Sequence, residues 1–407
     1  MKYSEINDID KATRSSRQET ARFGFALLFI IAVMLVVDAM HLVPGDGHLL
    51  LVVAAMIGGY MAMNIGANDV ANNVGPAVGA RAITLTGAII IAAIFESAGA
   101  IIAGGEVVTT IKNGIIDPKQ IADVELYVYA MIAALLAGAI WLNLATAMGA
   151  PVSTTHSIVG AVLGAGVAAG GWHIVNWSSM GAIAASWVVS PLFGGLVAAL
   201  FLFWIKRSIT YQTDMVQAAK KMVPILVAVM AWAFTTYLAL KGLNKLIKLS
   251  TLEASVIGLL VAAVVYGLVR IAVKNNASSL QNTKDSINGL FTIPLIFAAA
   301  LLSFAHGAND VANAIGPLAA IYDALVNNTI SAKAGIPLWV MMIGALGISI
   351  GLLLFGPKLI KTVGSEITEL DQIRAFAIAM SAALTVIVAS ELDRKSTRLN
   401  SSHVSQS

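Results

Sequence analysis

Cysteine is absent from the sequence, which excludes disulfides, thiolate metal sites and cysteine nucleophiles. Charge is almost as scarce. Asp, Glu, Lys and Arg make up 12% of the 407 residues, where a soluble domain carries about 25%. No Gly-rich loop with Lys, no zinc-type His cluster and no nucleophile elbow occurs, which speaks against an ATP-driven pump or a membrane hydrolase. The net charge is only +3, too small a surplus to imply a nucleic-acid partner. What fills the chain instead is hydrocarbon: 58% of residues are hydrophobic and the mean hydropathy is +0.84. Glycine, with 35 copies, suits helices that pack closely inside a membrane. The composition is that of a polytopic membrane protein in the lipid bilayer, all-α in class.

A membrane crossing needs about 20 apolar residues. Eleven segments are predicted, at 23–43, 49–65, 84–104, 127–148, 157–171, 179–205, 223–240, 252–273, 289–305, 338–356 and 373–390. Segment 157–171 is too short to cross alone and reads as a discontinuous or re-entrant element. Residues 1–22 are polar, with Lys11, Arg14, Arg17 and Arg22 ahead of the first apolar run, which predicts a cytoplasmic N-terminus. An apolar run of this length is too long for the core of a cleaved signal, about 7–15 residues. The chain divides on this reading into a first membrane half (23–205), a connecting region with two spans (206–288), a second half (289–392) and a polar, Ser-rich tail (393–407).

The second half repeats the first. Gly66-Ala67-Asn68-Asp69-Val70-Ala71-Asn72-Asn73-Val74-Gly75-Pro76 returns as Gly307-Ala308-Asn309-Asp310-Val311-Ala312-Asn313-Ala314-Ile315-Gly316-Pro317, identical at nine of eleven positions. Ile94–Gly105 and Leu346–Lys358 are similar as well. Counting the predicted spans gives an odd number between the motifs, so the copies run in opposite directions, the arrangement of inverted-repeat transporters. Each motif follows a long apolar run and ends in Gly-Pro, a helix break.

Polar groups in hydrocarbon need partners or a ligand. Asp69 with Asn68, Asn72 and Asn73, and Asp310 with Asn309 and Asn313, form two islands of one carboxylate and several amides. Such a set suits a dehydrated Na⁺ or, with the Asp titrating, a proton; the local alternative is helix capping. Pro151-Val152-Ser153-Thr154-Thr155-His156 reads as a broken segment followed by a capped half-helix. Its free N–H groups and the hydroxyls of Ser153, Thr154 and Thr155 suit a tetrahedral oxyanion. His156 is as readily a packed histidine as a donor or relay. Glu96, midway along an apolar run, is a functional candidate by default. Arg81 and Lys112 fall near segment ends, Glu106 reads as interfacial, and His306, whose counterpart is Ile65, is secondary.

On the doubled Gly-Ala-Asn-Asp-Val-Ala-Asn motif and Pro-Val-Ser-Thr-Thr-His, the chain resembles the inorganic phosphate transporter (PiT) family over about residues 45–392. The resemblance implies a symporter of the bacterial inner membrane that takes up inorganic phosphate, alone or as a metal complex, driven by Na⁺ or H⁺, with no cofactor, no catalytic residues and no resident metal. It assigns substrate binding to Ser153, Thr154, Thr155, Asn68, Asp69, Asn309 and Asp310, and ion coupling to Asp69, Asn72, Asn73, Asp310, Asn313 and Glu96. Small-residue faces permit a homodimer. The family's second Pro-Val-Ser-Thr-Thr-His-type motif is expected near Lys395, where the Ser-rich tail stands, so a truncated sequence is expected, with a cradle for Asp69 and none for Asp310. The rival readings are a sulfate symporter on the same scaffold, a passive anion channel and a transport-inactive membrane protein.

Overall fold

The computed structural model describes residues 3–104, 114–121, 123–242, 249–276, 280–330, 335–366, 369–382 and 384–385. Among the described residues the helices follow in order: α1 (Tyr3–Met40), α2 (Gly47–Gly79), α3 (Leu85–Ala103), α4 (Val124–Met148), α5 (Thr154–Gly170), α6 (Trp177–Ile205), α7 (Met215–Lys241), α8 (Thr251–Asn276), the short α9 (Lys284–Asn288), α10 (Thr292–Asn327) and α11 (Leu338–Lys361). Residues 372–382 are also helical. Among the described residues nine helical stretches are long and apolar enough to cross a membrane. The eleven expected segments reduce to nine because α5 has only 17 residues and 386–390 of the last segment lie outside the described residues. Glu106, Lys112 and the tail from 393 also lie outside them. Outward faces are apolar, as lipid requires: Leu259, Leu260, Val264, Leu268 and Ile271 on α8 are all exposed.

One expectation is overturned here. The motifs do not end their helices at Gly-Pro; α2 continues through Pro76 to Gly79 and α10 through Pro317 to Asn327. Proline removes one backbone donor, and neighbouring helices make this tolerable inside a membrane. The carbonyl of Pro76 still accepts from Ala80 N–H at 2.9 Å. Each polar island therefore lies inside a long helix.

The chain forms two compact units. The first comprises Met1–Ala71, Ile89–Met180 and His306–Ile360. Within it, Gly59 faces Ile343, Gly66 faces Ile348 and Val70 faces Gly356, so α2 and α11 run parallel. Glu96 likewise faces Gly307 and Gly104 faces Val311, so α3 runs parallel to α10. Gly58 meets Leu318 while Asp69 meets His306, so the two motif helices are antiparallel to each other. The first glycine of each motif is the point of closest backbone approach. A Cβ at Gly66 would lie 1.9 Å from Ile348 O, and one at Gly307 2.1 Å from Glu96 O. The pair α2–α11 is thus repeated, inverted, by α10–α3, which makes Ile348 the counterpart of Glu96 and Ser349 that of Ser97. These two serines hydrogen-bond to each other, and Ser349 Oγ is 3.0 Å from Ala93 O.

α4 and α5 form a hairpin in the same unit. Ile116, before α4, bridges to Val175, after α5, and Asp117 N–H donates to Ile174 O at 2.7 Å. The short α5 therefore brings the chain back to the side from which α4 left. The second unit comprises Asn72–Ala88, Gly181–Ala305 and Lys361–Ser407. There α7 and α8 pack tightly, with Gly258 against Thr236 and Trp232 Nε1 donating to Ser255 Oγ at 3.1 Å. Phe291 meets Phe376 with ring centroids 5.3 Å apart.

Candidate functional site

The site is built at the break between α4 and α5. Gly149 ends α4 in the left-handed region at φ 77°, where a Cβ would be strained, and Ala150 N–H closes the turn on Ala145 O at 2.8 Å. Ser153 caps α5, its Oγ accepting from His156 N–H at 3.2 Å. Asn68, fully buried, holds the chain between. Its Nδ2 donates to Thr146 Oγ1 at 3.0 Å and to Ala150 O at 3.2 Å, and its Oδ1 accepts from Val152 N–H at 3.0 Å. The amide is engaged at both ends in fixing the break.

Both motif copies meet the first turn of α5. Thr154 Oγ1 donates to Asp69 Oδ2 at 2.7 Å. From the other copy, Asn313 Nδ2 donates to Thr154 Oγ1 at 3.3 Å and to Thr155 Oγ1 at 3.2 Å. The hydroxyls of α5 are thus bonded by residues of both motif copies.

His306 lies at the centre. Its Nε2 is 2.7 Å from Asp310 Oδ2 and 3.4 Å from Asp69 Oδ2, and its Nδ1 is 3.6 Å from Glu96 Oε1. One ring thus touches three carboxylates contributed by α2, α3 and α10. Asp69, His306 and Asp310 each offer a ligand atom, all within 4.8 Å of one another, a geometry open to a cation. Buried carboxylates are costly without such a partner.

The cluster has a dry side and an accessible side. Asn68, Asp69, Glu96, Thr154 and Asn313 are buried, whereas Ser153, Thr155 and His156 are exposed and Asn309 and Asp310 are half-buried. Further along α2, Asn73 is buried and Asn72 exposed.

His306, secondary in the sequence, is central in the structure, and its signal is its position four residues before Asp310, one helical turn away. Asn143 and Thr146, one turn apart on α4, join the site as well. Asn143 Nδ2 donates to Asn64 Oδ1 at 3.2 Å, and Thr146 receives Asn68.

Among the described residues, nine apolar stretches, antiparallel repeats and a polar cluster beside a half-helix fit a multi-pass membrane transporter. Residues 65–395 match the phosphate transporter family, and the chain belongs to that family. A proposed phosphate permease of Helicobacter pylori is 53% identical over 398 residues, covering 96% of this chain and 74% of the relative. One from Pyrococcus abyssi is 39% identical over 84% of each chain. A solved structure, a sodium-dependent phosphate transporter, superposes with a TM-score of 0.78 at 35% identity over 84% of both chains.

Proposed function

We propose that the protein is a secondary symporter taking up inorganic phosphate together with a cation. The observation that carries this reading is the Thr154 hydroxyl held between Asp69 and Asn313, which ties an anion-binding helix start to both polar islands. Phosphate is held by Ser153, Thr154 and Thr155 and by the N–H groups opening α5, where the helix dipole favours negative charge. Asn309 and the carboxylates of Asp69 and Asp310 complete the substrate contacts, while Asn68 keeps the broken segment in register. The cation binds at the islands, with Asp69, Asn72, Asn73, Asp310, Asn313 and Glu96 as its coupling groups.

Coupling follows from charge. An anion beside two carboxylates is repelled unless a cation enters too, and each ligand then raises the affinity of the other by the same factor. The name of the sodium-dependent structural relative favours Na⁺ over H⁺. The membrane is the bacterial inner membrane, with the basic N-terminal segment on the cytoplasmic side.

The test is uptake of labelled phosphate by the full chain reconstituted in liposomes, under an imposed Na⁺ gradient, a proton gradient, or neither. A gradient of one ion drives accumulation. Uptake that ignores both gradients overturns symport and leaves the passive channel. Asp69→Asn abolishes uptake while the protein stays in the membrane.

A further inference from the structure

The second unit holds a polar cavity that shares no residue with the proposed transport site. It is lined by Lys206, Lys284 and Arg374, with Tyr211, Asn288 and Asp371. We propose that it binds a phosphate group at the membrane–water boundary.

The chain brings the cations together from span ends. Lys206 opens the last turn of the span Trp177–Thr210, Lys284 opens the span Lys284–Asn327, and Arg374 lies at the start of helix 372–382. The segment Lys206–Thr210 is π-helical, a widened turn frequent at functional sites. Three basic residues face one acid, and that acid is engaged: Asp371 Oδ2 is 3.4 Å from Arg374 Nε, and its Oδ1 accepts from Arg374 N–H at 2.7 Å. Among the described residues no carboxylate pairs with Lys206 or Lys284. Arg374 has five N–H donors; Nη1 donates to Glu369 O at 3.2 Å and Nε faces Asp371, which leaves three for a ligand.

Asn288 supplies an independent pointer. Its Oδ1 is buried and has no hydrogen-bond partner among the described residues, an acceptor that the P–OH of hydrogen phosphate or a hydroxyl of a glycerol headgroup satisfies. The cavity of about 170 Å³ has room for such a group, a water needing about 30 Å³. Two sources present this chemistry where spans end: an anionic lipid headgroup, abundant on the cytoplasmic leaflet, and free phosphate. The inference is independent of the transport assignments, since no residue is shared.

The test follows thermal unfolding of the purified full chain with added phosphatidylglycerol, phosphatidylcholine or inorganic phosphate. Wild type is compared with Lys206→Gln/Lys284→Gln, and with Lys284→Gln alone, an exposed position whose change leaves the fold intact. Phosphatidylglycerol raises the midpoint and phosphatidylcholine does not. Each lysine contributes about fivefold to binding of an anionic surface, so the double variant needs about 25-fold more lipid for the same rise. A lysine-dependent rise with inorganic phosphate instead identifies the free ion as the ligand. Phosphate stabilisation that Asp69→Asn removes and the lysine variants keep belongs to the transport site. Lysine variants that respond like wild type to both additions overturn the proposal.

Discussion

Gly307 lies so close to α3 that a methyl group on it would come 2.1 Å from the carbonyl oxygen of Glu96. The same contact recurs between Gly66 and Ile348 in the inverted copy. Backbones that close carry no tolerance for a side chain, because the obstacle is another main chain rather than a movable rotamer. Gly307→Ala therefore separates α3 from α10, costs about 2–3 kcal/mol of stability and draws Glu96 away from His306. Gly267 on α8 has open space where a methyl group would stand, with no atom within 4 Å, so Gly267→Ala is neutral or stabilising by about 0.5–1 kcal/mol. Apparent unfolding midpoints of the two variants check the contrast; equal shifts would deny the close approach.

The two copies differ where it matters electrostatically. Glu96 and His306 face each other on one side, and their counterparts Ile348 and Ile65 are both apolar. His306→Ile takes the imidazole from three carboxylates and destabilises by about 3–5 kcal/mol. Glu96→Ile/His306→Ile recreates the other side's chemistry and loses less than the sum of the single changes, with a coupling of about 1–3 kcal/mol. A double-mutant cycle on unfolding midpoints measures it, and strict additivity would break the unit into independent residues.

The sequence made the large features plain because each has a one-dimensional signature. Apolar runs give the spans, an eleven-residue repeat gives two copies, and Pro151 followed by Ser153 gives the half-helix start. Chain direction was legible too, since a short returning α5 counts as a crossing and keeps the parity odd. Helix continuation past Pro76 and Pro317 was not, because it depends on neighbours that relieve the lost donor. Nor was the reach of Asn68, which fastens a turn 82 residues away at Ala150. The reach of Asn313 to Thr154, across 159 residues, follows only from the antiparallel crossing of α2 and α10.

Thr154 tests whether the hydroxyl or merely its volume matters. It is buried, donates to Asp69 and accepts from Asn313. Thr154→Val keeps the shape and removes both bonds; Thr154→Ser keeps the bonds and removes a methyl. A hydrogen bond to a charged group is worth about 1.5–3 kcal/mol, so Val lowers kcat/KM for phosphate by about 10–150-fold. Ser stays within about fivefold, the cost of a small cavity. Initial rates in proteoliposomes separate the two, and equal losses would make the role one of packing.

The choice between phosphate and sulfate turns on a proton. At neutral pH phosphate keeps at least one P–OH and can donate it, whereas sulfate offers only acceptors. Beside the Thr154 hydroxyl stands the Asp69 carboxylate, which can receive such a donor and can only repel a bare oxyanion. A site built to accept a hydrogen bond rejects the analogue that lacks it strongly, because its buried acceptor is then left facing another. Sulfate at a hundredfold excess is therefore expected to leave labelled phosphate uptake unchanged. Asp69→Asn replaces half of the acceptor by an N–H donor, which sulfate can use. That variant loses transport, so binding is read instead from the unfolding midpoint: phosphate alone stabilises the wild type, and the preference narrows by at least about tenfold in the variant. Equal stabilisation of the wild type by the two anions would mean that the carboxylate does not face the substrate, and would return the sulfate reading to contention.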